Sequence, residues 1–173
     1  MEINVKRSLR KCTSFILAVA AYFLIHEGAH LIYALYAGAF QEIRFLGLGI
    51  QVATYREAMT DLQVGFFCIL GPAAALAAGY CLLAAAPALL RFKSQFLRAC
   101  AYYMTLALLV TDPLYLSVLY PYVGGGDMNG IKLLVPELYA RSAFGFLAAV
   151  NLIIVFKYIV PAYRQAYRRS VSR

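Results

Sequence analysis

Tryptophan is absent from this 173-residue chain, histidine occurs only twice, and Asp and Glu together number 8. Charged residues make up 14% of the sequence, against about 25% in an ordinary soluble domain, while the apolar set reaches 63% against about 45–50%. That balance excludes a water-soluble globular domain, and the same apolar richness excludes a disordered chain. Four scattered cysteines, Cys12, Cys68, Cys81 and Cys100, form no Cys-x-x-Cys, which excludes a disulfide scaffold or a cysteine-rich zinc module. They read as small buried apolar residues. There is no internal repeat and no low-complexity linker, and the lack of symmetry between the chain halves disfavours a small transporter.

What is present is basic charge in patches and long apolar runs. The net charge is +8, from 16 Lys and Arg. In a soluble domain this excess would suggest nucleic acid; here the patches lie between apolar stretches and read as topology signals. Ala18-Val19-Ala20 resembles a signal-peptide cleavage site, but the apolar run continues well past it and reads as a span. The sequence predicts one domain over residues 1–173, an all-α integral membrane protein with about four transmembrane helices, near 12–38, 62–86, 99–120 and 143–160. The fourth ends in a basic tail with Arg164, Arg168, Arg169 and Arg173. Asp112-Pro113 interrupts the third span, and Pro121 with Gly124-Gly125-Gly126 should break the helix that precedes them. The segment from Gln41 to Arg56 is too short and polar to span. Its partial alternation and its two glycines, Gly47 and Gly49, predict a short membrane-associated β-hairpin after the first helix. The 14 tyrosines are assigned no chemistry.

Both histidines fall in one pentapeptide, His26-Glu27-Gly28-Ala29-His30. Residues four apart share a helix face, so both imidazoles can bind one metal ion, with Glu27 placed to take a proton from a water that the metal polarises. Zinc in such a site needs a third protein ligand and keeps a position for water. Ionisable groups inside a span cost on the order of 2.5–3.5 kcal/mol each, so three polar residues in five positions point to function.

With these residues the chain resembles the site-2-protease family of intramembrane zinc metalloproteases. The likeness runs from the first span to about Leu134. The motif His26 to His30 corresponds to that family's catalytic helix, residues 42–55 to its membrane-associated hairpin, Gly71-Pro72 to its Gly-Pro motif, and Pro121…Asp127…Gly130 to the segment that supplies its third ligand. The resemblance implies zinc held by His26, His30 and Asp127, with Glu27 as the catalytic base. It also implies substrate contacts at Gly47, Gly49, Gly71 and Pro72, where an unwound substrate pairs with the hairpin edge. Two positions depart from the family pattern. Ala75 stands where an Asn often follows the Gly-Pro motif, and Met128-Asn129 separates Asp127 from Gly130.

Asp112 competes with Asp127 as the third ligand. At 1.5 Å per residue, Asp112 lies ~21 Å along the third span from Arg98, the depth of His26 measured from Cys12. Asp127 has the family context and three preceding glycines that let the backbone fold back. Gly71 to Gly79 is rich in small residues, and close helix packing is its simplest reading. The expected activity is hydrolysis of a peptide bond in or near the transmembrane segment of a membrane protein or peptide, with the lipid bilayer as the other partner and no nucleic acid. The alternative is a non-proteolytic membrane scaffold or regulator with a structural zinc site. For sidedness, twelve of the 16 Lys and Arg lie before the first span, between the second and third, or from Lys157 onward, and four lie in the other connections. This places both termini in the cytoplasm, whereas the resemblance implies a site nearer the cytosol.

Overall fold

The computed structural model describes residues 2–46 and 49–171. Four of its helical stretches are long and apolar enough to cross a membrane: Ser8–Tyr36, Asp61–Leu89, Gln95–Val123 and Glu137–Arg168. The protein is a multi-pass integral membrane protein. Large apolar side chains such as Leu24, Ile32, Phe146 and Phe156 are exposed around the bundle, as lipid-facing positions require.

Helix α1 (Glu2–Tyr36) is followed by Gly38, whose φ of 63° turns the chain into the hairpin. Strands β1 (Phe40–Leu46) and β2 (Gly49–Thr54) pair antiparallel, with Leu46 opposite Gly49 and a register shift between Phe40 and Glu42. Helix α2 (Asp61–Leu89) starts in a capping box: Thr60 accepts from the Gln63 amide at 3.3 Å, and the Gln63 side chain accepts from the Thr60 amide at 2.9 Å. Helix α3 (Gln95–Leu114) is capped by Ser94. It passes through a π turn at Tyr115–Leu119 into the short helix α4 (Tyr120–Val123). Then come α5 (Gly126–Ile131), α6 (Glu137–Ile154), a second π turn at Val155–Ile159, and α7 (Val160–Val171).

Several boundaries differ from the sequence expectation. Neither Pro113 nor Pro121 breaks the third span, because the wide turn at Tyr115–Leu119 absorbs the irregularity. The break comes at Gly124 and Gly125, with φ of 69° and 149°. The helix of the fourth span does not stop near residue 160. It is carried on through the second π turn as α7, which takes in most of the basic tail.

Helix α1 packs on α2 and α3, α2 on α3 and α5, and α3 on α6. Close approach explains the glycines of α2. A Cβ at Gly65 would overlap the Leu134 side chain, and one at Gly79 would lie 2.8 Å from Leu109 Cδ2. One core cluster joins Ala34, Val52, Phe67, Cys68, Leu116, Met128 and Ile131, so the hairpin and α5 are packed onto α1 and α2.

Pro113 has no amide hydrogen to donate to the Leu109 carbonyl, four residues earlier, and hydrocarbon offers no water in its place. Asn151, fully buried on α6, donates to that carbonyl at 2.6 Å and accepts from the Tyr80 hydroxyl at 2.6 Å. One side chain thereby ties α2, α3 and α6 together. Asn151→Ala is expected to lower unfolding stability by about 1–2 kcal/mol, and Tyr80→Phe by roughly half as much, as read from reversible unfolding in mixed micelles. Equal stability of Asn151→Ala and wild type would show the bond to be dispensable.

Candidate metal centre

Helical spacing aims His26 and His30 to the same side of α1, and both are buried. Their Nε2 atoms lie 3.1 Å apart. The outer nitrogens are both occupied. His30 Nδ1 donates to the Phe67 carbonyl at 2.8 Å, and His26 Nδ1 lies 3.2 Å from Asp112 Oδ2. With the protons at Nδ1, both Nε2 lone pairs point inward.

The Asp127 carboxylate closes the third side, with Oδ2 at 3.2 Å from His26 Nε2 and Oδ1 at 3.3 Å from His30 Nε2. Three electron-pair donors therefore converge. Ligands about 2.05 Å from a tetrahedral zinc ion stand roughly 3.3 Å from one another, so the observed separations fit such an ion.

The two aspartates that sequence reasoning left in competition occupy different places. Asp127 meets both Nε2 atoms. Asp112, fully buried, sits behind His26 and receives the Tyr22 hydroxyl at 2.5 Å on its other oxygen. Asp112 therefore orients the imidazole, in the carboxylate–histidine arrangement found behind many metal ligands. Tyr22 went unassigned from sequence, although its place four residues before His26 on the same helix face was a usable signal. The Phe67 carbonyl left no signal, since any residue type supplies one.

Glu27 lies beside the cage, its carboxylate within 4.8 Å of the histidine ligand atoms. Its Oε2 accepts from the Val52 amide of β2 at 2.8 Å, which ties the hairpin to α1. Gly71 stands against the cage itself: a Cβ there would overlap His30 Nε2 and lie 2.8 Å from His26 Nε2. Pro72, beside it, is fully buried. Gly49 begins β2, and Gly47 lies outside the described residues. Asp127 is held by its own local scaffold. The Tyr115 hydroxyl donates to the Gly124 carbonyl at 2.6 Å, and Gly130 leaves room for Cys68, whose Cβ would be 2.7 Å from a Cβ at 130. The Asp127 side chain is 18% exposed against 7% and 3% for His26 and His30, so the cluster is most open on the α5 side.

Comparison with protein-family models, curated proteins and solved structures finds no match to this chain.

The geometry separates the two aspartates experimentally. Asp127→Ala is expected to lower zinc occupancy sharply, because it removes an inward ligand. Asp112→Ala should retain zinc at saturation with affinity reduced by roughly tenfold, because it only frees His26 to rotate. Metal analysis of the purified, dialysed variants distinguishes them, and the reverse result would transfer the ligand role to Asp112.

Proposed function

We propose that this protein is an intramembrane zinc metalloprotease that cleaves a peptide bond in or near the transmembrane segment of a membrane protein or peptide. The observation that carries this reading is the convergence of His26 Nε2, His30 Nε2 and Asp127 within 3.1–3.3 Å, with the Glu27 carboxylate beside them. Zinc bound there would polarise the scissile carbonyl and acidify water. Glu27 takes the proton of the attacking water and passes it to the leaving amine. Asp112 and Tyr22 hold His26 in place, and the Phe67 carbonyl holds His30. A helical substrate must unwind to expose its carbonyl. The edge of β2 opposite β1, where the Val52 amide donates to Glu27, lies nearest the base, and an extended segment would pair along the hairpin beside that bond.

Glu27→Gln tests the reading. A glutamine oxygen still accepts from Val52, so the hairpin contact and zinc should persist while cleavage of a membrane substrate is abolished. Cleavage at the wild-type rate by this variant would sink the mechanism. A wild-type protein that binds zinc but cleaves no substrate would favour the second reading, a scaffold or regulator with structural zinc, for which the Glu27–Val52 bond already supplies a structural role.

We infer further that both termini are cytoplasmic. The basic ends of α1, α3 and α7 meet at one end of the bundle, where Arg10 donates to Gln95 and Arg98 to the Ala166 carbonyl. The hairpin and the metal cage then lie toward the opposite face. A cysteine introduced between residues 42 and 56 in a cysteine-free background should react with a membrane-impermeant thiol reagent in intact cells. Labelling only after lysis would reverse the orientation.

A further inference from the structure

At the end of the bundle remote from the histidines, α1, α3 and α7 bring two guanidinium groups to one phenol. The guanidinium carbons of Arg10 and Arg98 lie 6.0 Å and 5.4 Å from the centre of the Tyr167 ring. Arg98 is only 6% exposed, and its side chain donates from Nη1 to the Ala166 carbonyl at 3.1 Å. Arg10 donates from Nη1 to Gln95 Oε1 at 2.5 Å. Among the described residues, the Nε of each arginine is buried without a hydrogen-bond partner, and so is the hydroxyl of Tyr163, a residue 2% exposed.

Among the described residues, no carboxylate pairs with either arginine. The sequence explains why. Residues 3–26, 62–111 and 138–173 contain no Asp or Glu, so the stretches of the three helices around these arginines bring only positively charged side chains. The exposed Lys11, Arg164 and Arg168 belong to the same helix ends and add to it. A buried guanidinium without a counter-charge is costly, and its planar donor fork matches the oxygens of a phosphate. The place also selects the source of that phosphate. Arg10 lies near the start of the first apolar stretch, Arg98 near the start of the third and Tyr167 near the end of the fourth, at the depth of lipid headgroups.

We propose that Arg10 and Arg98 bind the phosphate of an anionic membrane lipid at the junction of α1, α3 and α7. The lipid supplies the missing counter-charge and fastens α7 to the bundle. The site lies 16 residues before His26 along α1, ~24 Å away, and is independent of the proteolytic reading.

Native mass spectrometry of the full chain in detergent tests this with phosphatidylglycerol, phosphatidylcholine and inorganic phosphate as probes. The wild type should retain one phosphatidylglycerol roughly tenfold more tightly than phosphatidylcholine. Arg98→Gln and Arg10→Gln should each lose that preference, whereas Lys11→Gln keeps it. Arg10 is only half-buried, so its variant carries the test if Arg98→Gln fails to fold. Equal retention of the two lipids, or an undiminished preference in Arg10→Gln, overturns the proposal. Displacement of phosphatidylglycerol by millimolar inorganic phosphate would assign the arginines to a soluble anion and overturn the lipid assignment.

Discussion

Two imidazole nitrogens and a carboxylate face one another across 3.1–3.3 Å in the interior of a membrane protein, and each outer imidazole nitrogen already has an acceptor. With protons at both Nδ1 positions, all three inward groups are electron-pair donors. A single proton between them can satisfy two at most. A divalent cation satisfies all three, which is why metal and proton compete in such sites. This constraint organises its surroundings. Asp112 and the Phe67 carbonyl set the tautomers, Tyr22 holds Asp112, and Gly71 yields the space that any other residue would fill. The same geometry makes a merely packed pair of histidines a poor account of the pentapeptide, since packing alone would not aim three acceptors at one point.

Bringing Asp127 to that point demands irregular backbone at a depth where polar groups cannot turn to water. The third span solves this with a proline, a π turn and two glycines in sequence. The carbonyl that Pro113 leaves free is taken by Asn151, and the chain then reverses through Gly124 and Gly125, with Tyr115 holding the Gly124 carbonyl. Each device transfers a backbone hydrogen bond to a side chain on another element, as a bilayer requires of any broken helix. The residues that shape the site are thus also those that hold α3, α5 and α6 together.

The four apolar helices and the hairpin were legible in the sequence because hydropathy, two glycines and a polar interval each leave a local signal. The His-Glu-x-x-His helix was legible because i, i+4 spacing is itself geometry. Local signals failed where the outcome depended on contacts between distant segments. Pro121 read as a break, yet the helix runs on past it to Val123, and the carbonyl that Pro113 leaves free is taken by Asn151, 38 residues further along the chain. The basic residues after position 160 read as a tail beyond the span, yet α7 is held helical against α3 by Arg98 and the Tyr167 contacts. Asp112 and Asp127 could not be separated by depth or spacing, because the difference between them is which face of one imidazole each meets.

Hydrolysis of a peptide bond would need an extended substrate backbone, a general base and water in one place, and Glu27 is where these demands meet. Its carboxylate is bonded to the edge amide of β2 and lies beside the cluster of His26, His30 and Asp127, of which Asp127 is the most exposed member. On the proposed reading, a segment pairing with β2 is registered by the same strand that positions the base. Movement of the hairpin would then displace Glu27 and the substrate together. That coupling would give the hairpin a chemical part to play, and it follows from one hydrogen bond between Glu27 and Val52, 25 residues later in the sequence.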